Sequence, residues 1–260
     1  MAEAAAPTID VRLATEPRGT VAIVTVDNRK KLNTLNSALM REFIAKIDAL
    51  GTHDDLRALV LTGAGEAAFI GGASIDEMAL MGRAGAEAFI TLVHRTCDCL
   101  RKLPVPVIAR IDGYALGAGL EVAVSCDLRV STTRAKFGMP EVKVGLPSVV
   151  EAALIPQLIG WGRARELLMT GDTIDAETAL RWGLIERMTE PPGLDREVGK
   201  IVESLLAAGP HAVRSQKRLM QQWEQLSTDQ AIKAGIDALV RAFDTEEPER
   251  LLGAFLNRKR

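Results

Sequence analysis

Apolar positions in the first quarter of the chain follow two different periods. β-Branched, alternating stretches predict strands at 8–13 and 20–26, joined as a hairpin around the residues EPRG. Helical spacing of apolar residues predicts a helix at about 36–50. The nearly all-apolar stretch 56–63 is typical of a strand covered on both faces, as in a parallel sheet.

A similar succession of elements continues to about residue 190. It predicts helices over 75–81 and 84–102, a strand at 105–111, a buried helix over GAGLEVAVS, a strand at 127–132 and a helix-turn-strand unit over 173–188. Alternating strands and helices favour an α/β fold with largely parallel pairing.

The pattern changes after the residues PPGLD, which are typical of a linker. Residues 194–256 show helical periodicity only, with breaks near 209–210, 227–229 and 246–248. We therefore predict a core over 1–192 that holds the active site, and a helical region over 193–260. The helical region is expected to pack on the core or on another subunit.

Composition narrows the possible partners. The net charge of −2 gives no bulk attraction to nucleic acid or to an anionic membrane surface, so neither is expected as a partner. Three cysteines, an odd and sparse set, fit a reducing compartment, for which the cytoplasm is the default. No apolar run reaches the roughly 18 residues of a membrane span.

Glycine-rich turns before two predicted helices suggest a site. The pattern GAGEAA at 63–68 matches a dinucleotide-binding fingerprint, but Gly71 and Gly72 would break the long helix that such a site needs, so a loop is favoured. Within FIGGASIDEM, Ser74 and Glu77 form a capping-box pattern that starts a helix. The amides just before that helix are expected to be unpaired, although this segment taken alone favours a purely structural helix start.

The stretch IDGYALGAGLEVAVS repeats this construction. Its glycines precede a predicted helix, whose first N–H groups point back toward them. If the amides of Ala73 and Ala118 faced one point, they would form an oxyanion hole for a carbonyl oxygen that gains negative charge.

Two glutamates are candidates for proton transfer. Glu121 lies in the first turn of the apolar helix, where the helix dipole could explain it structurally, but a buried carboxylate has a raised pKa that suits a general acid or base. Glu141 follows Pro140 in a loop that leaves a strand. Ser148 and Glu151 form a further capping-box pattern, so Glu151 is interpreted first as a cap and second as a third acidic site residue.

Other catalytic machinery is missing from the sequence. The three histidines lie in no H-E-x-x-H arrangement, and the single C-x-C pair lacks the second cysteine pair of a zinc site. Neither a G-x-S-x-G elbow nor a G-x-x-x-x-G-K-[ST] loop is present. We expect no metal site, serine-hydrolase triad or nucleotide P-loop.

With these motifs in order, the sequence resembles the enoyl-CoA hydratase/isomerase, or crotonase, superfamily over nearly its whole length. The matching segments are VDNRKKLNTLN, LRALVLTGAGEAAFIGGASIDEM, PVIARIDGYALGAGLEVAVSCDLRVST, FGMPEVKVGLP, LLMTGDTIDAETALRWGLIERM and AFLNRKR. The resemblance implies an α/β crotonase-like (ClpP/crotonase) spiral of ββα units with an α-helical C-terminal region. It also implies a homo-oligomer, either a trimer or a dimer of trimers.

The resemblance assigns roles to individual residues. Ala73 and Ala118 match the amides that bind the thioester oxygen of an acyl-CoA, and Glu121 and Glu141 match the two glutamates of hydratases. It implies that Glu121 activates water for addition at C3 of a 2-enoyl-CoA while Glu141 supplies the proton to C2, with no separate metal or redox cofactor. Residues matched to substrate or CoA binding are Lys31, Leu32, Gly71, Gly72, Ile75 and Gly117, together with Phe255 and Arg258 near the C-terminus, which reach the CoA of a neighbouring subunit.

One segment departs from the family pattern. Hydratases usually carry a glycine-rich stretch after the second glutamate, whereas this chain has PSVVEAAL. The departure leaves two alternatives open beside hydration. One is another crotonase reaction, such as enoyl-CoA isomerisation or acyl-CoA hydrolysis, and the other is a catalytically silent acyl-CoA-binding protein.

Overall fold

The structure, a computed structural model, describes residues 6–258 apart from the side chain of Arg258. Ten strands occur in this part of the chain. They are β1 (Thr8–Glu16), β2 (Gly19–Asp27), β3 (Leu56–Gly63), β4 (Ala68–Ile70), β5 (Val107–Ile111), β6 (Tyr114–Leu116), β7 (Leu128–Thr132), β8 (Lys136–Gly138), β9 (Thr173–Asp175) and β10 (Arg187–Thr189).

Eleven α-helices accompany these strands within the described residues. They are α1 (Ser37–Leu50), α2 (Ile75–Met78), α3 (Arg83–Lys102), α4 (Ala118–Ser125), α5 (Ile155–Ile159), α6 (Trp161–Thr170), α7 (Ala176–Trp182), α8 (Leu194–Ala207), α9 (Pro210–Trp223), α10 (Thr228–Ala242) and α11 (Glu247–Arg258). Short 3-10 turns occur at Pro140–Val144 and Val150–Leu154, next to the site described below.

The strands form two sheets. A six-stranded sheet has the order β1-β2-β3-β5-β7-β10 and is parallel except for the β1–β2 hairpin. A four-stranded sheet has the order β4-β6-β8-β9 and is parallel except for β8–β9. From β3 to β8, consecutive strands alternate between the large and the small sheet, and the chain enters a helix or turn after each pair. This is the expected spiral of ββα units.

Most long elements agree with the sequence prediction, but the small sheet was missed. The hairpin occurs as predicted, with its first strand three residues longer, and α1, β3, α3 and α4 lie within one residue of their predicted bounds. The four strands of the small sheet are three residues each, too short for an alternating pattern to become visible. The helix predicted over 75–81 was too long, since α2 ends at Met78.

Two apolar cores separate the layers. The larger core joins α1, α3 and the buried α4 to the inner faces of both sheets. The smaller core lies on the other face of the large sheet, where Leu194, Val198 and Ile201 of α8 cover it. The C-terminal region is helical, with breaks where the sequence predicts them. The division of the chain at residue 192 into two units stays a prediction.

No helix within residues 6–258 is both long enough and apolar enough to cross a membrane.

Candidate active site

The first candidate oxyanion amide lies directly after β4. Leu35 N–H donates to the Gly72 carbonyl at 2.9 Å, and Ser74 N–H donates to the Leu35 carbonyl at 2.8 Å. Because these two bonds use the groups on either side of Ala73, its own N–H faces away from Leu35, as in any extended segment. Gly72 has a φ of +118°, which a residue with a side chain rarely adopts. Ala73 thus lines a cavity with its amide available.

The second candidate amide begins α4. Gly117 donates its N–H to Gly138 at 2.9 Å and turns the chain with a φ of +51°, so that the helix starts at Ala118. The N–H groups of a helix's first turn have no partner within the helix. Within residues 6–258, the amides of Ala73 and Ala118 have no hydrogen-bond acceptor. Both residues line the same cavity, as an oxyanion hole requires.

The cavity has a volume of about 270 Å³ and mostly apolar walls. Aliphatic and aromatic side chains from α2, α3 and the loop after β8 supply those walls, among them Met78, Phe89, Ile90, Val93, Val144 and Leu146. The structure brings together eight of the residues singled out from the sequence, namely Gly71, Gly72, Ala73, Ile75, Gly117, Ala118, Glu121 and Glu141. The carboxyl groups of Glu121 and Glu141 therefore line the same apolar cavity as the residues Ala73 and Ala118, which carry the two amides.

Glu121 is almost completely buried, with 4% of its surface exposed. Burial, followed by the negative charges of Glu141 and Glu151, raises its pKa to about 8, against a smaller opposing effect of the nearby Ala152 amide dipole. Desolvation and like charges both penalise the ionised form of a carboxyl group. At neutral pH, Glu121 therefore holds a proton in the free protein.

Glu141 is half-buried in the 3-10 turn Pro140–Val144, after β8. The Ser148 hydroxyl donates to its Oε2 at 2.8 Å. Its Oε1 lies against Gly117, where a Cβ atom would overlap it. Gly117 thus allows both the turn into α4 and the approach of this carboxylate.

Two expected capping boxes differ in the structure. Ser74 caps α2 by accepting the Glu77 N–H at 3.4 Å, but the Glu77 carboxylate accepts hydrogen bonds from the amide and hydroxyl of Ser37. The box predicted for Ser148 and Glu151 was wrong, because Ser148 bonds Glu141. In both cases the glutamate carboxylate binds a residue of another element instead of the backbone at the start of its own helix or turn.

The carboxylate of Glu151 has a partner that sequence reasoning missed. Its Oε1 lies 2.7 Å from Nδ1 of His94 on α3. The two residues are 57 positions apart, and no local pattern relates them. Only the packing of the 3-10 turn Val150–Leu154 against α3 reveals this pair.

Residues expected at the CoA chain lie in two places. Lys31 Nζ forms an ion pair with Asp76 Oδ2 at 2.6 Å, and the Leu32 carbonyl accepts the Gly71 N–H at 2.8 Å, so both residues adjoin the first oxyanion loop without lining the cavity. Phe255 is half-exposed on α11 and does not line the cavity of its own chain. The side chain of Arg258 lies outside the described residues. Their roles stay predictions.

Comparisons with known proteins agree with this fold. The model of the enoyl-CoA hydratase/isomerase family matches residues 16–260. A short-chain-enoyl-CoA hydratase of Clostridium acetobutylicum is 35% identical over 94% of both chains, and a crotonyl-CoA hydratase of Syntrophomonas wolfei is 33% identical over 92% of this chain and 93% of its own. The crystal structure of an enoyl-CoA hydratase from Bacillus anthracis superposes with a TM-score of 0.91, at 30% identity and 96% coverage of each chain. The chain belongs to the enoyl-CoA hydratase/isomerase family.

Proposed function

We propose that this protein is a 2-enoyl-CoA hydratase, which adds water across the C2=C3 bond of its substrate to give a 3-hydroxyacyl-CoA. One observation carries the proposal, namely that two carboxyl groups and two unpartnered amides line the same apolar cavity. The names of its relatives as short-chain-enoyl-CoA and crotonyl-CoA hydratases support the same reaction.

The amides supply the electrophilic part of the mechanism. With the thioester oxygen held by the N–H groups of Ala73 and Ala118, electron density moves from the double bond toward that oxygen, and C3 becomes open to attack. Negative charge grows on the oxygen as the enolate-like state forms. Loss of one such donor costs roughly 3–4 kcal/mol of transition-state stabilisation.

The carboxyl pair supplies the proton chemistry. Because Glu121 holds a proton at neutral pH, the carboxyl pair starts the reaction with a proton that it can give to the substrate. As the water oxygen bonds to C3, a water proton passes to the pair and a proton leaves the pair for C2, so the pair ends as it began. Acid and base functions belong to the two glutamates jointly, because coupled carboxyls titrate as a unit. The proposal requires no metal or redox cofactor.

The surroundings of the cavity suggest how the rest of the substrate binds. The apolar walls fit a hydrocarbon acyl group, and Lys31 and Leu32 adjoin the loop where CoA would enter. We further propose a homotrimer or a dimer of trimers, in which Phe255 and Arg258 complete the CoA site of a neighbour. The three buried free cysteines support a cytoplasmic location.

Hydration is tested with purified protein and 2-enoyl-CoA substrates from four carbons upward. We expect loss of the ultraviolet absorbance of the conjugated thioester, and a product heavier by one water in mass spectrometry. Glu121→Gln and Glu141→Gln should each lose turnover by a factor of about 10² or more, as expected for a general acid or base. Glu166→Gln, an exposed glutamate on α6, serves as the matched control.

Absence of product from every chain length, despite binding of acyl-CoA, would contradict the proposal. A product of unchanged mass would instead indicate isomerisation, and free CoA would indicate thioester hydrolysis. Retention of full turnover in both glutamine variants would remove the carboxyl pair from the mechanism.

A further inference from the structure

Glu151 belongs to the 3-10 turn Val150–Leu154, which packs against α4, and it does not line the cavity. The residue is only 7% exposed. Its Oε1 is bound by His94, while its buried Oε2 has no hydrogen-bond partner within the described residues. A buried carboxylate oxygen without a partner is costly, and such groups are uncommon in folded proteins. We therefore expect Glu151 to have a function that offsets the free-energy cost of burying this oxygen.

The backbone that presents Glu151 is strained. Val150 has a φ of +42°, in the left-handed region that β-branched residues avoid. Such a conformation is energetically unfavourable and persists where surrounding contacts fix it. Here the strained residue immediately precedes Glu151, in a turn that packs against α4, the helix of Glu121. The turn therefore places the negative charge of Glu151 near the Glu121 carboxyl.

Few ionisable side chains on the elements packed against Glu151 can neutralise its charge. The turn that carries it packs against α4, which presents Glu121, against α3, which presents His94 and Cys97, and against α5, which has no charged residue. Glu141, which lines the same cavity as Glu121, also acts on the Glu121 carboxyl through its charge. Burial raises the pKa of the Cys97 thiol well above its usual value, so that thiol is neutral. His94, with 49% of its side chain exposed, is the group that can offset the charge.

We propose that Glu151, held by His94, is a positioning residue for the hydration reaction. Its negative charge, in a turn packed against the helix of Glu121, favours the protonated form of that carboxyl. Glu121 thereby keeps its proton toward alkaline pH. This inference rests on the proposed function and adds a residue that acts through Glu121.

The test is the pH dependence of kcat/KM for crotonyl-CoA. Loss of the pair's proton sets the alkaline limb of this profile. In Glu151→Gln the negative charge is gone, and in His94→Lys a permanent cation offsets it, so both variants should move the alkaline limb down by about one pH unit. Glu151→Asp keeps the charge and should leave the limb in place. KM for the CoA thioester should stay within a factor of about two, because neither residue lines the cavity.

A purely structural role for Glu151 would lower the melting temperature or kcat of Glu151→Gln without moving the alkaline limb, and that result would overturn the proposal. Direct titration of the Glu121 carboxyl carbon by ¹³C NMR, assigned with Glu121→Gln, provides a readout independent of turnover. In His94→Lys this titration should occur at lower pH than in the wild-type protein, and an unchanged titration would also overturn the proposal. This titration tests the effect of Glu151 on Glu121 even if Glu151→Gln does not fold. It also tests that effect if no enoyl-CoA is hydrated, in which case only the proposed function fails.

Discussion

At the scale of single residues, the raised pKa that suits Glu121 to proton transfer also lowers the free energy of unfolding at alkaline pH. Its pKa is about 8 in the folded protein, against a usual value of 4.5. Between these values the unfolded chain releases this proton while the folded protein keeps it. The folded protein therefore loses stability as pH rises from about 4.5 to about 8, and the loss is complete above the upper value.

Glu121→Gln should therefore be more stable than the wild-type protein at alkaline pH. Glutamine has nearly the same shape and never ionises, so we expect a gain on the order of a few kcal/mol in the free energy of unfolding at pH 9, shrinking to near zero at pH 4. Urea denaturation across this range measures the difference. Glu166→Gln is the matched control, and a gain that is independent of pH would contradict the explanation.

The sequence predicts the paired site residues better than it predicts their hydrogen bonds. Glycines before two helices, with glutamates in an apolar run and in a Gly- and Pro-rich loop, were sufficient to single out Ala73, Ala118, Glu121 and Glu141. The contacts of Glu77 and Glu151 could not be predicted, because their partners, Ser37 and His94, lie 40 and 57 residues away in the chain. Spacing reports on neighbours along an element, whereas these bonds exist only after packing.

At the scale of elements, the position of α4 depends on a close approach to β4. A Cβ atom at Gly119 would overlap the carbonyl oxygen and carbon of Ile70, so only glycine allows this distance. The approach brings Ala118 next to the strand that leads into Ala73. The sequence predicts α4 itself from its apolar run, but β4 has three residues, and its contact with α4 is not visible in any periodic pattern.

Gly119→Ala should consequently damage both activity and stability. The helix has to move away from β4, which displaces the Ala118 amide and opens a gap in the core. We expect loss of kcat by at least about 10²-fold, and a destabilisation of about 1–3 kcal/mol. Turnover assays and denaturant unfolding measure the two effects.

Gly199→Ala is the matched control for this substitution. Gly199 lies in the interior of α8, and no atom would contact its added Cβ within 4 Å. Alanine is favoured over glycine at such a position by about 1 kcal/mol, so this variant should gain stability and keep its turnover. Equal activity in the two variants would show that the close approach at Gly119 does not position the amide.

At the scale of the whole molecule, the last two helices leave a large apolar surface uncovered. Along α10, five large apolar side chains share one face and are each 59–66% exposed, namely Ile232, Ile236, Leu239, Val240 and Phe243. On α11, Leu252, Phe255 and Leu256 are exposed as well. Contiguous patches of this kind mark sites of protein association. The helical periodicity of the tail was visible in the sequence, but which of its faces stays uncovered depends on how α9 and α10 pack together.

Charges placed on this face should therefore break the proposed homo-oligomer. In Ile236→Asp combined with Leu239→Asp, assembly would have to bury two carboxylates among apolar side chains, which costs several kcal/mol per ion. We expect light scattering coupled to size-exclusion chromatography to give the mass of one chain for this variant, and a multiple of three chains for the wild-type protein. Glu203→Lys, an exposed charge reversal on α8, should keep the wild-type mass. If the proposed sharing of Phe255 and Arg258 between neighbours is correct, the dissociated variant should also show a raised KM for CoA thioesters, whereas an unchanged KM would show that each chain completes its own CoA site.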